Sequence, residues 1–128
     1  MTTQIFVFGS NLSGIHGAGA ARFAMKNHQA VWGVGYGRQG TSFAIPTKDE
    51  RIKTLSFARV QFYVQAFINH AASNLDDEFQ VTRIGCGLAG FTDAQIAPLF
   101  ITAPTNCHFD EEWKSFFKER NFKYWGTL

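Results

Sequence analysis

The sequence predicts an α/β fold with a mixed, largely parallel sheet, built as one domain over residues 1–128. Short apolar runs that are typical of buried strands alternate with helical patterns, as in chains of βαβ units. Glycine-rich loops follow two of these strands, and we find no linker, repeat or low-complexity tract between them. A chain of 128 residues also has the length of one ordinary domain.

The first predicted strand is Gln4–Phe8 (QIFVF), a short apolar run that ends at a glycine. A glycine-rich loop is expected from Gly9 to about His16. The segment Gly17–His28 is rich in alanine and has a basic end, so it predicts a helix. This part of the chain therefore has a strand, a glycine loop and a helix in direct succession.

A second strand and a long helix follow. Val31–Gly40 contains four glycines and predicts a loop, and Ser42–Ile45 predicts a strand that Pro46 ends. Thr54–Ser73 is the longest predicted helix. One stripe of it is apolar and the adjacent stripe is polar. The apolar stripe is Val60, Val64, Phe67 and Ala71, and the polar stripe is Gln61, Gln65 and Asn69.

The last part of the chain repeats the strand–loop–helix order. Phe79–Ile84 predicts a strand, Gly85–Phe91 (GCGLAGF) a second glycine loop, and Thr92 the N-cap of a helix to about Thr102. Asp110–Arg120 has acidic residues first and basic residues last, which favours a helix. Phe122–Trp125 predicts a final strand.

Composition excludes several classes of protein. The net charge of +2 is spread along the chain and does not form a basic stripe, so we expect no nucleic-acid partner. No apolar run approaches the length of a membrane helix and no secretory signal is evident, which predicts a cytoplasmic protein without membrane contact. The two cysteines, Cys86 and Cys107, do not make a disulfide framework. No metal-ligand spacing emerges, and we expect no metal and no cofactor.

The glycine loops predict an anion-binding site. Ligands of parallel α/β sheets bind at the carboxyl ends of the strands, where both loops begin. Glycine lets the backbone approach a phosphate closely, and a helix N-terminus offers unpaired N–H groups. Two such loops at one sheet edge could hold a diphosphate between them. The alternative is that the glycines only form tight turns and allow close helix–sheet packing.

Several side chains near these loops are candidates with two possible roles. Asn11 could hydrogen-bond a ribose hydroxyl or close its own loop. Phe91 could stack on a sugar or base, or pack against the following helix. Arg38 could neutralise a diphosphate or remain a solvated charge. The residues predicted to bind the ligand are Gly9, Ser10, Asn11, Gly17, Ala18, Gly19, Arg38, Gly85, Cys86, Gly87, Leu88, Ala89, Gly90 and Phe91.

These motifs resemble those of the macrodomain superfamily, which binds ADP-ribose. The chain is similar in particular to the terminal ADP-ribose protein glycohydrolase branch, through GAGAA (17–21), IPTKD (45–49) and IGCGL (84–88) in the same order. The combination VFGSN, IPTKD and IGCGLAG is also similar to small macro-like proteins of phage genomes. The resemblance covers about residues 4–103 and implies a three-layer α/β/α macrodomain-like fold.

The resemblance implies a ligand and a candidate nucleophile. The ligand is ADP-ribose or a related NAD-derived nucleotide, which the protein would bind, for example, as a sink for a signalling nucleotide. In the branch, the lysine that matches Lys48 attacks the C1 carbon of the distal ribose. Lys48 could instead contact a phosphate, or form a salt bridge with Asp49 or Glu50.

One residue departs from the branch. Where the branch has a catalytic aspartate directly after IGCGL, this chain has Ala89, which cannot transfer a proton. Asp49 or Asp93 would have to replace it. The resemblance therefore favours binding of ADP-ribose over its hydrolysis. The alternative is an ADP-ribosyl hydrolase that uses Lys48 as nucleophile on an ADP-ribosylated macromolecule.

Overall fold

The computed structural model describes residues 2–127 and confirms the predicted α/β class. Its strands are β1 (Thr3–Asn11), β2 (Gly37–Gln39), β3 (Ser42–Lys48), β4 (Asp77–Val81), β5 (Cys107–Asp110) and β6 (Lys123–Gly126). Its α-helices are α1 (Gly19–Asn27), α2 (Phe57–Ala72) and α3 (Asp93–Ile96). Two 3-10 helices follow α3 and β5, at Ala97–Phe100 and Glu111–Phe116.

The strands form one mixed sheet in the order β2-β3-β1-β4-β5-β6. Among the described residues, the edge strand β2 is antiparallel to its neighbour β3, and the other four strand pairings are parallel. The carboxyl ends of β1, β3, β4 and β5 therefore meet at the same edge of the sheet. This edge carries the loops that follow each of those strands.

Helices cover both faces of the sheet, which is compatible with a three-layer α/β/α fold. Alternate residues of β1 point to opposite faces. Phe6 and Phe8 pack with Ala24 of α1 on one face. Ile5 and Val7 belong to the larger core on the other face, which also contains the buried residues of α2.

Helix α2 forms largely as its sequence pattern predicts. The Ser56 hydroxyl accepts a hydrogen bond from the Arg59 N–H and so caps the helix, two residues inside the predicted start. The whole predicted apolar stripe is buried against the sheet, and the predicted polar stripe is exposed. The helix thus contributes five buried residues to the larger core.

Strand β3 continues through Pro46 to Lys48, so the prediction that Pro46 ends the strand is wrong. β2 pairs with β3 only over Ser42–Ala44, so Pro46 lies beyond the last residue that needs a hydrogen-bonded neighbour on that side. β2 itself lies in the segment predicted as a loop. β1 likewise runs three residues further than predicted, to Asn11.

The predicted helix Asp110–Arg120 is also wrong. Cys107–Asp110 is strand β5, and the helical turn that follows is a 3-10 helix that ends at Phe116. Cys107 and Phe109 are fully buried in the core. Because a strand at residues 107–110 buries both side chains, tertiary packing determines the conformation of this segment. Within the acidic-to-basic pattern, one short 3-10 helix follows the strand.

Smaller boundary differences affect the elements around the second glycine loop. β4 ends at Val81, three residues before the predicted end. Thr92 caps α3 as predicted, with a reciprocal bond pair to Gln95. The α-helix then changes to a 3-10 helix that contains Pro98. Within residues 2–127, no helix has both the length and the apolar character needed to cross a membrane.

Two phenylalanines on α2 provide a matched test of this core. Phe67 is fully buried and Phe62 is 68% exposed. Phe67→Ala should lower the free energy of unfolding by about 3–5 kcal/mol, since it leaves a cavity in the core. Phe62→Ala should change it by less than about 1 kcal/mol. Denaturant unfolding of both variants measures the difference, and equal losses would contradict the packing described here.

Candidate functional site

A cleft of about 650 Å³ opens at the carboxyl edge of the sheet. We call it the edge cleft. The ends of β1 and β3, the start of α1 and the loop after β4 line it. The predicted site residues that line it are Gly9, Ser10, Asn11, Gly17, Ala18, Gly19, Lys48, Gly85, Cys86, Gly87, Leu88 and Ala89. Most of the predicted site is therefore brought together in one place.

Three predicted residues do not line the edge cleft: Arg38, Gly90 and Phe91. Arg38 lies on β2, and its Nη1 is 2.9 Å from Oδ2 of Asp77, at the amino end of β4. The Arg38 guanidinium is therefore paired with a carboxylate at the end of the sheet opposite the edge cleft. Gly90 is in the second glycine loop, where its N–H donates to the Gly87 carbonyl at 3.1 Å.

The start of α1 faces the edge cleft without a side-chain cap. Ala18 is the N-cap residue, and a side chain of alanine cannot accept a bond from the first N–H groups of the helix. The first turn contains no acidic residue. Because Gly17–Ala21 lines the cleft, the helix presents its N-terminal partial positive charge there.

The second glycine loop closes on itself opposite α1. The Phe91 N–H donates to the Gly85 carbonyl at 2.9 Å. Gly85 has a φ of +75°, and a Cβ there would lie 3.2 Å from the Phe91 ring. Phe91 itself packs against the core and meets Phe57 edge-on. The structure thus shows Phe91 in the packing role that the sequence left open.

The glycines divide into two groups. Gly14 has a φ of +68°, and a Cβ there would lie 2.3 Å from the backbone of Gly33, so close packing of two loops requires this glycine. At Gly17 and Gly87 the φ values are ordinary, and a Cβ would meet nothing within 4 Å. Gly17 and Gly87 line the edge cleft, and the fold itself does not require either of them.

Asn11 and Ser10, at the end of β1, use their side chains to hold neighbouring loops. The Asn11 amide donates to the Ile15 carbonyl and accepts from the Ile15 N–H, both at 2.9 Å. The Ser10 hydroxyl donates to the Gly35 carbonyl. For Asn11, the structure therefore shows the loop-closing role. Both residues still present atoms to the edge cleft.

Lys48 is a half-buried side chain of the edge cleft, beside Asn11 in the β1–β3 register. It forms no salt bridge with any carboxylate in the described range 2–127, so neither Asp49 nor Glu50 pairs with it. Asp49 accepts hydrogen bonds from the N–H groups of Lys53 and Arg51, and the Lys53 bond is the main cause of its lowered pKa. Asp49 is not among the lining residues.

Arg83 extends from the segment after β4 into the edge cleft and is held by Asp93. Two hydrogen bonds join the guanidinium to the carboxylate, at 2.9 and 2.5 Å. The Trp113 indole donates to the same carboxylate at 2.7 Å. The bond from Arg83, together with that from Trp113, lowers the pKa of Asp93 to about 2. Asp93 is therefore ionised at neutral pH and cannot serve as a general acid.

Cys86 and His16 lie near the glycine loops, but the surroundings of both side chains indicate structural roles and not catalytic ones. Burial raises the pKa of the Cys86 thiol to about 12, so no reactive thiolate forms at neutral pH. His16 is 1% exposed, and its Nε2 is 3.0 Å from the Val34 carbonyl oxygen. In the described part of the chain, no three His, Cys, Asp or Glu side chains are grouped as metal ligands.

Asp110 is a residue of the edge cleft that the sequence did not indicate. It is the last residue of β5 and fully buried, and it lines the cleft. The sequence pattern predicted it as the start of a helix, which hid its position at the strand edge. The signal that could have found it is the apolar alternation of Cys107 and Phe109, which precedes an acidic residue at a strand end.

Comparison of the chain with protein-family models and with curated proteins gave no match.

The Arg83–Asp93 contact predicts a specific pH dependence of stability. Asp93→Asn should lower the free energy of unfolding by about 1–2 kcal/mol at neutral pH, because the charged bonds to Arg83 and Trp113 weaken. The lowered pKa of Asp93 means that this contribution is present above its ordinary value of 3.8 and lost as the pH falls through about 2. The difference between wild type and variant should therefore shrink over that interval.

Denaturant unfolding at a series of pH values measures this difference. Asp76→Asn is the matched control, since Asp76 is exposed and outside the cluster. A constant difference between wild type and Asp93→Asn down to the lowest pH would contradict the ionised contact.

Proposed function

We propose that the protein binds ADP-ribose or a related NAD-derived nucleotide in the edge cleft. The observation that carries this proposal is the pairing of the uncapped N-terminus of α1 with the glycine loop 85–89 across one cleft at the carboxyl edge of the sheet. Helix N-termini and glycine loops at such an edge are a common combination for phosphate groups.

The charges around the edge cleft fit a diphosphate. Among the described residues, Lys48 and Arg83 are the cations that line it; Lys48 ends β3 and Arg83 follows β4, with β1 between these two strands. The free N–H groups at the start of α1 add a partial positive charge. The open glycines Gly17 and Gly87 leave room for a ligand to approach the backbone closely. The diphosphate would lie between these two glycines.

The cleft also has apolar side chains that suit a sugar or a base. These residues keep between 39% and 80% of their surface exposed, although they line a cavity. They are Ile15, Phe23, Ile52 and Leu88. Ligand pockets are commonly lined in this way, with a few polar groups that fix the orientation. A bound nucleoside would cover this exposed apolar surface.

The site favours binding over catalysis because none of the three positions considered for proton transfer, Ala89, Asp49 and Asp93, offers a carboxyl group for that role. Ala89 stands at the position of the catalytic aspartate in the glycohydrolase branch, and its carbonyl accepts a bond from Thr54 at 2.9 Å. Asp49 closes its own turn, and Asp93 is held by Arg83. We therefore infer a binding protein, for example a sink for a signalling nucleotide.

Substitution of the open glycines tests this proposal. Gly17→Ala and Gly87→Ala should leave the free energy of unfolding unchanged or slightly higher, since the new methyl meets no protein atom. Each should weaken ADP-ribose binding by about tenfold or more, about 1.4 kcal/mol, because the methyl occupies the space of the diphosphate. Calorimetric titration measures the affinity. Wild-type protein that binds no ADP-ribose at millimolar concentration, or variants that bind it as wild type does, would refute the proposal.

A second proposal is hydrolysis of ADP-ribosylated macromolecules, and the position of Lys48 in the edge cleft favours it. The Lys48 amine would form a bond to C1 of the distal ribose while the glycosidic C–O bond breaks; the electron pair leaves with the oxygen, which takes up the proton that the amine loses. The ADP-ribose would then be released by water. This step requires a neutral amine at the reacting carbon.

Two substitutions separate a nucleophile from a phosphate contact. If Lys48 is the nucleophile, Lys48→Arg and Lys48→Ala should both abolish release of ADP-ribose from a modified protein. If Lys48 only contacts a phosphate, Lys48→Arg should keep the affinity of the wild type and Lys48→Ala should lower it. Mass spectrometry of the released ligand and of the protein gives the result, and full turnover by Lys48→Ala would exclude the lysine mechanism.

A further inference from the structure

Ile52, in the turn after β3, has a backbone conformation that its residue type rarely adopts. Its φ is +63°, in the left-handed region, where a β-branched side chain crowds its own backbone. Gln29, with a φ of +65°, is the other such non-glycine residue in the range 2–127. Gln29 follows the C-terminal end of α1, where a left-handed residue commonly ends a helix. No helix end explains the conformation of Ile52.

Hydrogen bonds of the turn hold Ile52 in this conformation. The Asp49 N–H donates to the Lys53 carbonyl at 2.7 Å, and the Ile52 N–H donates to the Asp49 carbonyl at 3.1 Å. The Asp49 carboxylate also accepts from the N–H groups of Arg51 and Lys53. These bonds enclose residues 50–52, as in a hairpin loop whose last position is usually glycine. The turn alone therefore favours glycine or asparagine over isoleucine at position 52.

The isoleucine side chain contributes to the edge cleft and not to the turn. Ile52 lines the cleft and keeps 42% of its surface exposed. Lys48 and Thr54, on either side of the turn, pair as an antiparallel bridge, so Ile52 is carried on the same short hairpin as Lys48. Strained residues persist only where the surrounding structure fixes them, and they are concentrated at ligand sites. This combination indicates that the side chain of Ile52 serves a ligand.

The chemistry of the cleft walls indicates which part of the ligand Ile52 meets. Phe23 is the aromatic residue among the described residues that line the cleft, and it lies on α1, on the sheet face that carries Phe6. The turn of Ile52 leads instead to α2, on the opposite face. A planar base stacks on an aromatic ring, whereas an aliphatic side chain suits the carbon face of a sugar. With the base at Phe23 and the diphosphate at the two open glycines, the sugar at the other end of the diphosphate lies at Ile52.

We propose that Ile52 packs on the carbon face of the distal ribose and makes the edge cleft selective for nucleotides that carry a second sugar on the diphosphate. This inference rests on the proposed binding of ADP-ribose. The contact would bury the exposed part of Ile52, and such burial stabilises a complex in proportion to the apolar area removed from water. Because the turn already fixes the position of Ile52, binding loses little conformational freedom there.

Calorimetric titration with two ligands tests this contact. ADP-ribose and ADP share the adenosine and the diphosphate, but ADP lacks the distal ribose. Ile52→Asn and Ile52→Gly should each weaken ADP-ribose binding by about fivefold or more and change ADP binding by less than about twofold. Asparagine and glycine both tolerate the left-handed conformation, so the melting temperature should stay within about 4 °C of the wild type or rise.

Leu75→Asn is the matched control, since Leu75 is an exposed apolar residue outside the edge cleft. This variant should keep both wild-type affinities. A loss that is confined to ADP-ribose and to the Ile52 variants supports the contact, also where ADP itself binds too weakly to measure.

Four other outcomes would overturn the inference. Unchanged ADP-ribose affinity in the Ile52 variants would overturn it while the proposed ADP-ribose binding stands. An equal loss for ADP-ribose and ADP would place Ile52 away from the distal ribose. Unfolding of both variants far below the wild-type melting temperature would show that the turn itself requires isoleucine. Absence of ADP-ribose binding by wild type would overturn both this inference and the proposed function.

Discussion

The parallel pairing of β1 with both β3 and β4 is the constraint on which the site depends. β1 is buried on both faces, and its neighbours run in its own direction. The carboxyl ends of these strands therefore meet at one edge, and each following loop starts beside the others. The start of α1, Lys48 and the second glycine loop are distant in sequence, yet this pairing brings them to one cleft.

The fold could be predicted from local patterns where the sequence of one element alone shows which of its faces is buried. The stripe of α2 and the apolar run of β1 are examples, because periodicity alone identifies the buried face. The prediction was wrong where the conformation of a segment depends on the strand that pairs with it. Pro46 fits inside β3 because β2 ends before it, and Cys107–Asp110 is a strand because it pairs with β4 on one side and β6 on the other. A single segment carries no information about either neighbour.

The sequence predicted which backbone segments form the site. It predicted the positions of the charged side chains less well. Glycine loops indicate where a chain turns at a sheet edge, so Gly17 and Gly87 were found from the sequence. Arg38 was expected in the cleft because its loop is rich in glycine, but the antiparallel strand β2 carries it to the other end of the sheet. Asp110 was missed because its strand was missed. The placement of charges depends on strand order and direction, which the sequence does not state.

An amide NMR titration of the wild-type protein with ADP-ribose tests directly whether the edge cleft binds the nucleotide. Saturable shifts are expected for the backbone N–H signals in Gly17–Ala21 and in residues 85–89, with the same affinity for both segments, because one diphosphate contacts both. Small shifts elsewhere would follow from the nucleoside. Absence of shifts at millimolar ligand, or shifts confined to a surface outside the edge cleft, would show that this cleft does not bind the nucleotide.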